Sequence, residues 1–297
     1  MLFATRTAAE KRAAFRAALD SGALLQLPGA FSPLVAVLVQ EKGFDGIYIS
    51  GAALSADLAL PDIGLTTLPE VAARGHQIAR ATDLPALIDL DTGFGEPMNA
   101  ARSIQEIEDA GLAGCHLEDQ LSPKRCGHLD NKVLIPAADM AQKIRAAADA
   151  RRDPGFLLMA RTDAKASEGL EAAIDRARAY VDAGADAIFP EALTTIPEYE
   201  AFRAAVSVPL LANLTEFGKT PLLTRDRLVE LGYNIAIYPV TTLRLAMFGV
   251  EEGLDVLKAE GTQQDAVPRM QTRKRLYELL RYEDYNRFDQ SLFNFRV

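Results

Sequence analysis

The sequence predicts an α/β fold, a (β/α)8 TIM-like barrel with an N-terminal helix and C-terminal helices. Three observations predict it. Eight short apolar runs alternate with eight helical patterns along the 297 residues. The connections between them are tight. The runs are rich in Val, Ile, Leu and Ala with little alternation, as parallel strands buried on both faces require. A doubly wound open sheet is the alternative. No Gly-x-Gly-x-x-Gly turn follows the first run, which disfavours its dinucleotide-binding form.

The elements follow in order. Thr7 and Glu10 have capping-box spacing, and Phe15, Ala18 and Leu19 give the helix behind them an apolar side, ending near Gly22. Residues 24–28 are the first strand and 33–42 the next helix. Residues 46–50 are the second strand. A loop rich in Gly, Ala, Pro and Asp leads to Thr67 and Glu70, which open a helix to about residue 81. Residues 86–91 form the third strand. The following helix puts Ala100, Ile104, Ile107 and Gly111 on one face. Residues 114–119 form the fourth strand and 137–151 a helix. Residues 156–161 form the fifth strand, and the helix after it buries Leu170, Ile174, Ala177 and Val181 before stopping at Gly184. Residues 187–191 are the sixth strand, with Thr195 and Glu198 capping the helix behind it. Residues 209–213 are the seventh strand, 225–231 a helix, 235–238 the eighth strand and 243–260 the last barrel helix. Residues 262–271 read as a polar linker. Residues 272–293 read as a helical pair whose Leu276, Leu279, Leu280, Tyr277, Tyr282, Tyr285 and Phe288 need a surface to bury against. A neighbouring subunit is one such surface. The whole chain, 1–297, is thus one barrel domain with 262–297 as an extension.

Composition narrows the function. The apolar share of 49% and charged share of 25% are those of a globular protein with a large core. A net charge of -9 argues against nucleic acid or an anionic membrane as partner. It leaves room for a small anionic substrate in a cleft lined by Arg and Lys. Two cysteines, Cys115 and Cys126, make no disulfide framework and suggest a reducing compartment, the cytoplasm. The first twelve residues lack a continuous apolar core, so no secretory signal is expected. No apolar run approaches membrane-spanning length.

Chemistry is expected at the C-terminal ends of the strands. Strand two ends in Tyr48, Ser50 and Gly51, and strand three in Asp89 and Asp91, two apart and so on one face. Strand four ends in Glu118 and Asp119, strand five in Arg161, Thr162 and Asp163, and strand six in Glu191. Strand seven ends in Asn213 and Thr215, strand eight near Pro239, and Arg244 opens the last helix. Charges at four successive strand ends do not suit a purely structural barrel, because Asp and Glu are rarely buried unpaired. An all-oxygen donor set favours a hard cation such as Mg2+ that keeps several waters, with Mn2+ a possible substitute. Zinc is disfavoured, since Cys115 and His116 face opposite ways and no paired Cys/His spacing occurs. His76 reads as an ordinary helix residue, and His116 as lining either the barrel or its outer wall.

The loop after strand four, Lys124-Arg125-Cys126-Gly127-His128, holds a thiol between cations. Lys124, Arg125 and a nearby imidazolium would lower its pKa. Gly127 leaves the backbone free for a close approach.

Together, Asp89-Leu90-Asp91-Thr92-Gly93-Phe94-Gly95, His116-Leu117-Glu118-Asp119-Gln120, the Lys124–His128 loop, Met159-Ala160-Arg161-Thr162-Asp163 and Phe189-Pro190-Glu191-Ala192 resemble the isocitrate lyase / phosphoenolpyruvate mutase superfamily. The cysteine loop resembles its lyase branch. The resemblance runs from Pro28 to the C-terminal helices. It implies a barrel whose last helix is exchanged with a neighbour, in a homotetramer built as a dimer of helix-swapped dimers. It implies Mg2+-dependent retro-aldol cleavage of a C–C bond, with 2-methylisocitrate giving pyruvate and succinate, as in propionate catabolism. Alternatives are 2,3-dimethylmalate, isocitrate or oxaloacetate as substrate, or a dicarboxylate sensor without turnover. By the resemblance, Asp89 and Asp91 hold the metal, mostly through waters, with Glu118 beside them. Ser50, Gly51, Arg161, Glu191, Asn213 and Thr215 contact substrate, joined by Ala52, Lys124, Arg125, Gly127 and Arg244. Cys126 is the acid, with His128 beside it, and Tyr48 the base, supported by Asp62. The family's Ser-Gly-Gly after strand two is Ser50-Gly51-Ala52 here.

Overall fold

The computed structural model describes residues 4–125 and 132–293. Eight strands form in the expected places: β1 (Leu25–Pro28), β2 (Ile47–Ile49), β3 (Ala86–Asp89), β4 (Gly114–Glu118), β5 (Leu157–Thr162), β6 (Ala187–Pro190), β7 (Leu211–Asn213) and β8 (Ile235–Tyr238). They make a five-stranded sheet, β2-β3-β4-β5-β6, and a three-stranded one, β1-β8-β7. Every strand pair is parallel, as the apolar runs require. Single parallel bridges join the sheets at both edges, Gly29 to Tyr48 and Ile188 to Leu210. A Cβ on Gly29 would stand 2.0 Å from the Pro239 carbonyl oxygen, so only glycine lets the end of β1 pass β8 this closely.

Helix α1 (Ala8–Asp20) precedes β1, and α2 (Pro33–Glu41), α3 (Gly51–Asp57), α4 (Leu68–Ala79), α5 (Pro97–Asp109), α6 (Ala137–Ala150), α7 (Lys165–Glu168), α8 (Leu170–Asp182), α9 (Ile196–Ala205) and α10 (Arg225–Glu230) connect the strands. The three predicted capping boxes form at α1, α4 and α9, each Glu side chain accepting the N–H of its own cap threonine. Two apolar clusters divide the core. One gathers alternate strand residues, among them Leu27, Tyr48, Leu87, Met159, Phe189, Leu211 and Ile237, and Phe15 and Leu19 of α1 join it. The other, with Ile88, Cys115, Leu158 and Ile188, lies between strands and helices.

Four expectations need correction. The loop after β2 contains α3, a seven-residue helix whose Gly, Ala and Asp content reads as a loop in sequence. The linker at 262–271 contains a 3-10 helix, Gln264–Arg269. Gly111 lies past the end of α5 with φ +84°, closing the helix rather than sharing its face. Asp91 also lies beyond its strand, with φ +47°, so it reaches the site through a turn and not through strand alternation.

After β8 come α11 (Thr241–Glu260), the 3-10 helix, α12 (Arg273–Leu279) and α13 (Tyr282–Phe293). None of the twenty residues of α11 is buried. Among the described residues no helix is long and apolar enough to cross a membrane.

Candidate active site

The site grows from the C-terminal ends of β2 to β7. Tyr48 of β2 is buried. Ser50 caps α3, its Oγ accepting the Ala53 N–H at 3.4 Å. Gly51 donates its N–H to Asp89 Oδ2 at 3.2 Å. A Cβ on Gly51 would lie 3.0 Å from Asp89 Oδ2 and 3.2 Å from Asp91 Oδ1, so glycine is what lets this backbone sit against two carboxylates.

The carboxylates have distinct surroundings. Asp89 Oδ1 accepts the Asp91 N–H at 2.9 Å. Burial pushes the Asp89 carboxyl up, but His116, Lys124 and Arg161 more than offset it and hold it below its usual value. Burial, then Asp89, push Asp91 up to about 6, against the pull of Lys124. Lys124 is buried, with Nζ 2.9 Å from Asp91 Oδ1 and a second pairing to Asp62. Burial disfavours its ammonium, yet Glu118, Asp91, Asp89 and Asp62 together raise it well above the usual lysine value. Glu118 is fully buried and pushed well up by burial, against the pull of Arg161 and Lys124. Arg161 Nε stands 3.2 Å from it, yet neither carboxylate oxygen has a hydrogen-bond partner among the described residues.

Arg161 is the hub. Its Nε and Nη2 donate to Asp163 at 2.9 and 3.1 Å, and Nη2 reaches Glu191 Oε2 at 3.1 Å. Its guanidinium lies 4.9 Å from the Phe189 ring centroid. Burial disfavours the Asp163 carboxylate, but Arg161 and Lys132 hold its pKa well below normal. Asp119 supports this unit from behind. It accepts the Asp163 N–H at 2.9 Å, the Thr162 hydroxyl at 2.7 Å and the Tyr180 hydroxyl at 2.8 Å. Asn213 Nδ2 donates toward Glu191 at 3.3 Å.

Ten of the expected residues, Tyr48, Ser50, Ala52, Asp62, Asp89, Lys124, Arg161, Glu191, Asn213 and Thr215, line one cavity, closed on its apolar side by Phe189, Pro239 and Val240. Gly51, Asp91 and Glu118 stand against it through Asp89, Lys124 and Arg161. Arg125 and Arg244 do not line it. Arg125 is exposed, its backbone clamped at 2.9 Å on both sides by the Gln120 amide. Arg244 faces Glu216 and lies over the Phe217 ring. Cys126, Gly127 and His128 lie outside the described residues.

A family model described as phosphoenolpyruvate phosphomutase matches residues 15–257. The chain belongs to this family. It is 61% identical over 287 residues to a probable 2-methylisocitrate lyase 1 of Corynebacterium glutamicum, covering 96% of this chain and 94% of that one. It is 48% identical to a 2-methylisocitrate lyase of Bacillus subtilis over 94% of this chain and 92% of the other. Among solved structures, a 2,3-dimethylmalate lyase superposes with TM-score 0.90 at 31% identity, over 97% of this chain and 96% of that one. A phosphonopyruvate hydrolase in complex with oxalate and Mg2+ superposes with TM-score 0.87 at 32% identity, over 96% of this chain and 99% of that one.

Sequence reasoning passed over one residue of this family member's site. His116 of β4 is fully buried beside Tyr48, its Nε2 2.8 Å from the Tyr48 hydroxyl oxygen. The rings are stacked with centroids 5.8 Å apart. Phe189 meets the imidazole edge-on at 5.3 Å. The signal was present: in β4 the inward Glu118 fixes His116 on the same face. Chemically, a buried pocket whose carboxylates outnumber its lysine and arginine among the described residues suits a small polyanion only together with a cation.

Proposed function

We propose that the protein is a lyase that cleaves 2-methylisocitrate to pyruvate and succinate by retro-aldol C–C scission. One observation carries the reading: the residues expected to hold a hydroxy polycarboxylate converge on a single cavity, in a chain 61% identical over nearly its whole length to a probable 2-methylisocitrate lyase.

Arg161, Asn213 and Thr215 bind substrate carboxylates, with Glu191 orienting Arg161 and Asn213. Tyr48 accepts the proton of the substrate C2 hydroxyl as its own phenol proton passes to His116 Nε2, 2.8 Å away. As the C–C bond breaks, Arg161 stabilises the charge that develops on the pyruvate-derived oxygen. Cys126, in the segment after Lys124, donates the proton to the succinate carbanion.

A divalent cation fits the donor set. Glu118 offers two buried oxygens without hydrogen-bond partners among the described residues, and Asp89 and Asp91 add hard carboxylate donors beside it. No group of three or more His, Cys, Asp or Glu side chains among the described residues is placed to hold a metal directly. The fit is therefore to Mg2+, or Mn2+ in its place, that keeps several waters and takes few carboxylates. When bound, the ion supplies Lewis-acid polarisation of the substrate oxygens.

The architecture we infer is a closed (β/α)8 barrel. The bridges at both sheet edges and the cluster of alternate strand residues support closure. The subunit is incomplete alone. An apolar groove of about 360 Å3, lined by Pro28, Val35, Val39, Phe44 and Tyr238, lies beside α2 and β8. Helix α11 meanwhile exposes Leu245 (69%), Phe248 (63%) and Leu254 (58%). Exchange of the C-terminal helices with a second copy fills the groove and covers those side chains, and pairing of such dimers gives a homotetramer. A cytoplasmic location fits a soluble metabolic lyase.

The test is product identification from 2-methylisocitrate, with isocitrate, 2,3-dimethylmalate and oxaloacetate beside it, in Mg2+ and in EDTA. Pyruvate and succinate formed only with Mg2+ support the reading. Binding of these acids without turnover would replace it with a sensor.

A further inference from the structure

Two residues past β4 stands Gln120, a buried amide that the proposed mechanism does not use. Its side chain pairs both backbone groups of one residue. Nε2 donates to the Arg125 carbonyl and Oε1 accepts the Arg125 N–H, each at 2.9 Å. A side-chain amide offers a donor and an acceptor side by side, as a peptide group does, so Gln120 serves Arg125 as a neighbouring strand would. The main chain of the same stretch pairs with the returning segment. Gln120 bridges Leu134 in antiparallel sense, the Leu121 N–H donates to the Val133 carbonyl at 2.8 Å, and the Ile135 N–H donates to the Asp119 carbonyl at 3.0 Å. Lys124 immediately precedes the clamped residue. A Cβ on Gly64 would stand 3.3 Å from the Lys124 backbone nitrogen, so the loop that carries Asp62 packs directly on this backbone. The Lys124 side chain is buried, with Nζ 2.9 Å from Asp91 Oδ1 and paired to Asp62. Ordering a lysine side chain in one arrangement costs rotamer freedom, and a fixed backbone at its root keeps that arrangement.

We propose that Gln120 is a positioning residue: by holding the Arg125 backbone it sets the Lys124 ammonium against Asp91 and Asp62. This rests on the lyase reading for its meaning in turnover, though not for its geometry. Arg125 is exposed, so its own side chain does not pin this backbone by burial. The Gln120 amide does. With the amide removed, water takes over the two Arg125 backbone groups and the fold persists, but Lys124 is released from a fixed root and leaves its carboxylates more often.

Three measurements test the proposal. In wild type, hydrogen exchange resolved to single amides should show the Arg125 N–H slowed at least roughly tenfold against an unstructured chain. Exchange at the unstructured rate overturns the proposal. In Gln120→Met, which keeps the length and loses both pairings, trace acetylation of Lys124 read by mass spectrometry should quicken roughly tenfold, the worth of about one hydrogen bond. Lys11 and Lys143, also buried, should keep their wild-type rates. Mg2+ binding by calorimetry should tighten about threefold in Gln120→Met and further in Lys124→Met, because an ammonium that leaves Asp91 no longer opposes the cation. The double variant should match Lys124→Met alone. A merely structural loss would weaken Mg2+ binding instead. Unchanged Lys124 labelling, equal quickening at all three lysines, weaker Mg2+ binding or additive effects in the double variant would overturn the proposal. Should Gln120→Met fail to fold, Gln120→Asn, with the same amide one methylene short of its reach, carries the same expectations. For turnover of 2-methylisocitrate, kcat should fall about tenfold in Gln120→Met, and an unchanged kcat would overturn the role in turnover. If wild-type protein turns over none of the four acids, the lyase reading fails, while exchange and labelling still decide the geometry.

Discussion

The ammonium of Lys124 stands 2.9 Å from Asp91 Oδ1 and pairs with Asp62 as well, in a part of the protein where carboxylates outnumber cations. Among the described residues, Asp62, Asp89, Asp91, Glu118, Glu191 and Asp163 surround Lys124, Arg161 and Lys132. Lys124→Met would leave buried carboxylates without their counter-charge. In EDTA the variant should lose about 3–5 kcal/mol of stability, and Mg2+ should restore part of it. Urea melts with and without Mg2+ check this, and an unchanged EDTA melt would count against it.

Asp91 gives a pH signature of opposite sign. Its folded pKa, about 6, lies above the unfolded value. The protonated carboxyl therefore favours the folded state at low pH, and that stability is lost as pH rises through about 6. Asp91→Asn mimics the protonated form. In EDTA it should match wild type near pH 4 and exceed it at pH 8 by on the order of 2 kcal/mol. Wild type should gain more from Mg2+ than the variant. Melts across this range that run parallel would refute the expectation.

Asp163 behaves in the ordinary carboxylate way. Its folded pKa is held well below the unfolded value, so its contribution is complete above about pH 4 and lost as pH falls further. Asp163→Asn should cost about 3–5 kcal/mol at pH 7 by leaving Arg161 and Lys132 without their shared partner. The gap to wild type should narrow below pH 4. Activity should fall too, through kcat, because Arg161 loses its two-point anchor.

Gly51→Ala places a methyl group 3.0 Å from Asp89 Oδ2. Either α3 or the carboxylate must move. The expected cost is about 1–3 kcal/mol in stability, with weaker Mg2+ binding by calorimetry. Unchanged Mg2+ affinity would show that the close approach is incidental.

In the helix-exchanged assembly proposed above, Phe248→Lys, on α11 where Phe248 is 63% exposed, should give a smaller species than wild type by light scattering. An unchanged mass would place the subunit contact elsewhere.

Much of this was legible in the sequence because the signals are local and chemical. Thr-x-x-Glu boxes located the starts of α1, α4 and α9. Apolar runs located all eight strands, and charges at their ends located the cavity. What was not legible depended on tertiary direction. Arg244 follows β8 like a site residue, but its helix carries it over Phe217, away from the cavity. Arg125 sits beside Lys124, yet only Lys124 turns inward to Asp91 and Asp62. His116 lies in a strand buried on both faces, where hydrophobicity does not tell inside from outside and only its alternation with Glu118 places it. Helix α3 is too short for periodicity to register.

The central claim is that this cavity cleaves 2-methylisocitrate, and the most direct measurement is kcat/KM for 2-methylisocitrate, isocitrate and 2,3-dimethylmalate with Mg2+, for wild type and Cys126→Ser. The account predicts the highest value for 2-methylisocitrate and near-complete loss in the serine variant. A higher value for another acid would contradict the substrate assignment, and full activity of Cys126→Ser would contradict the role given to the thiol.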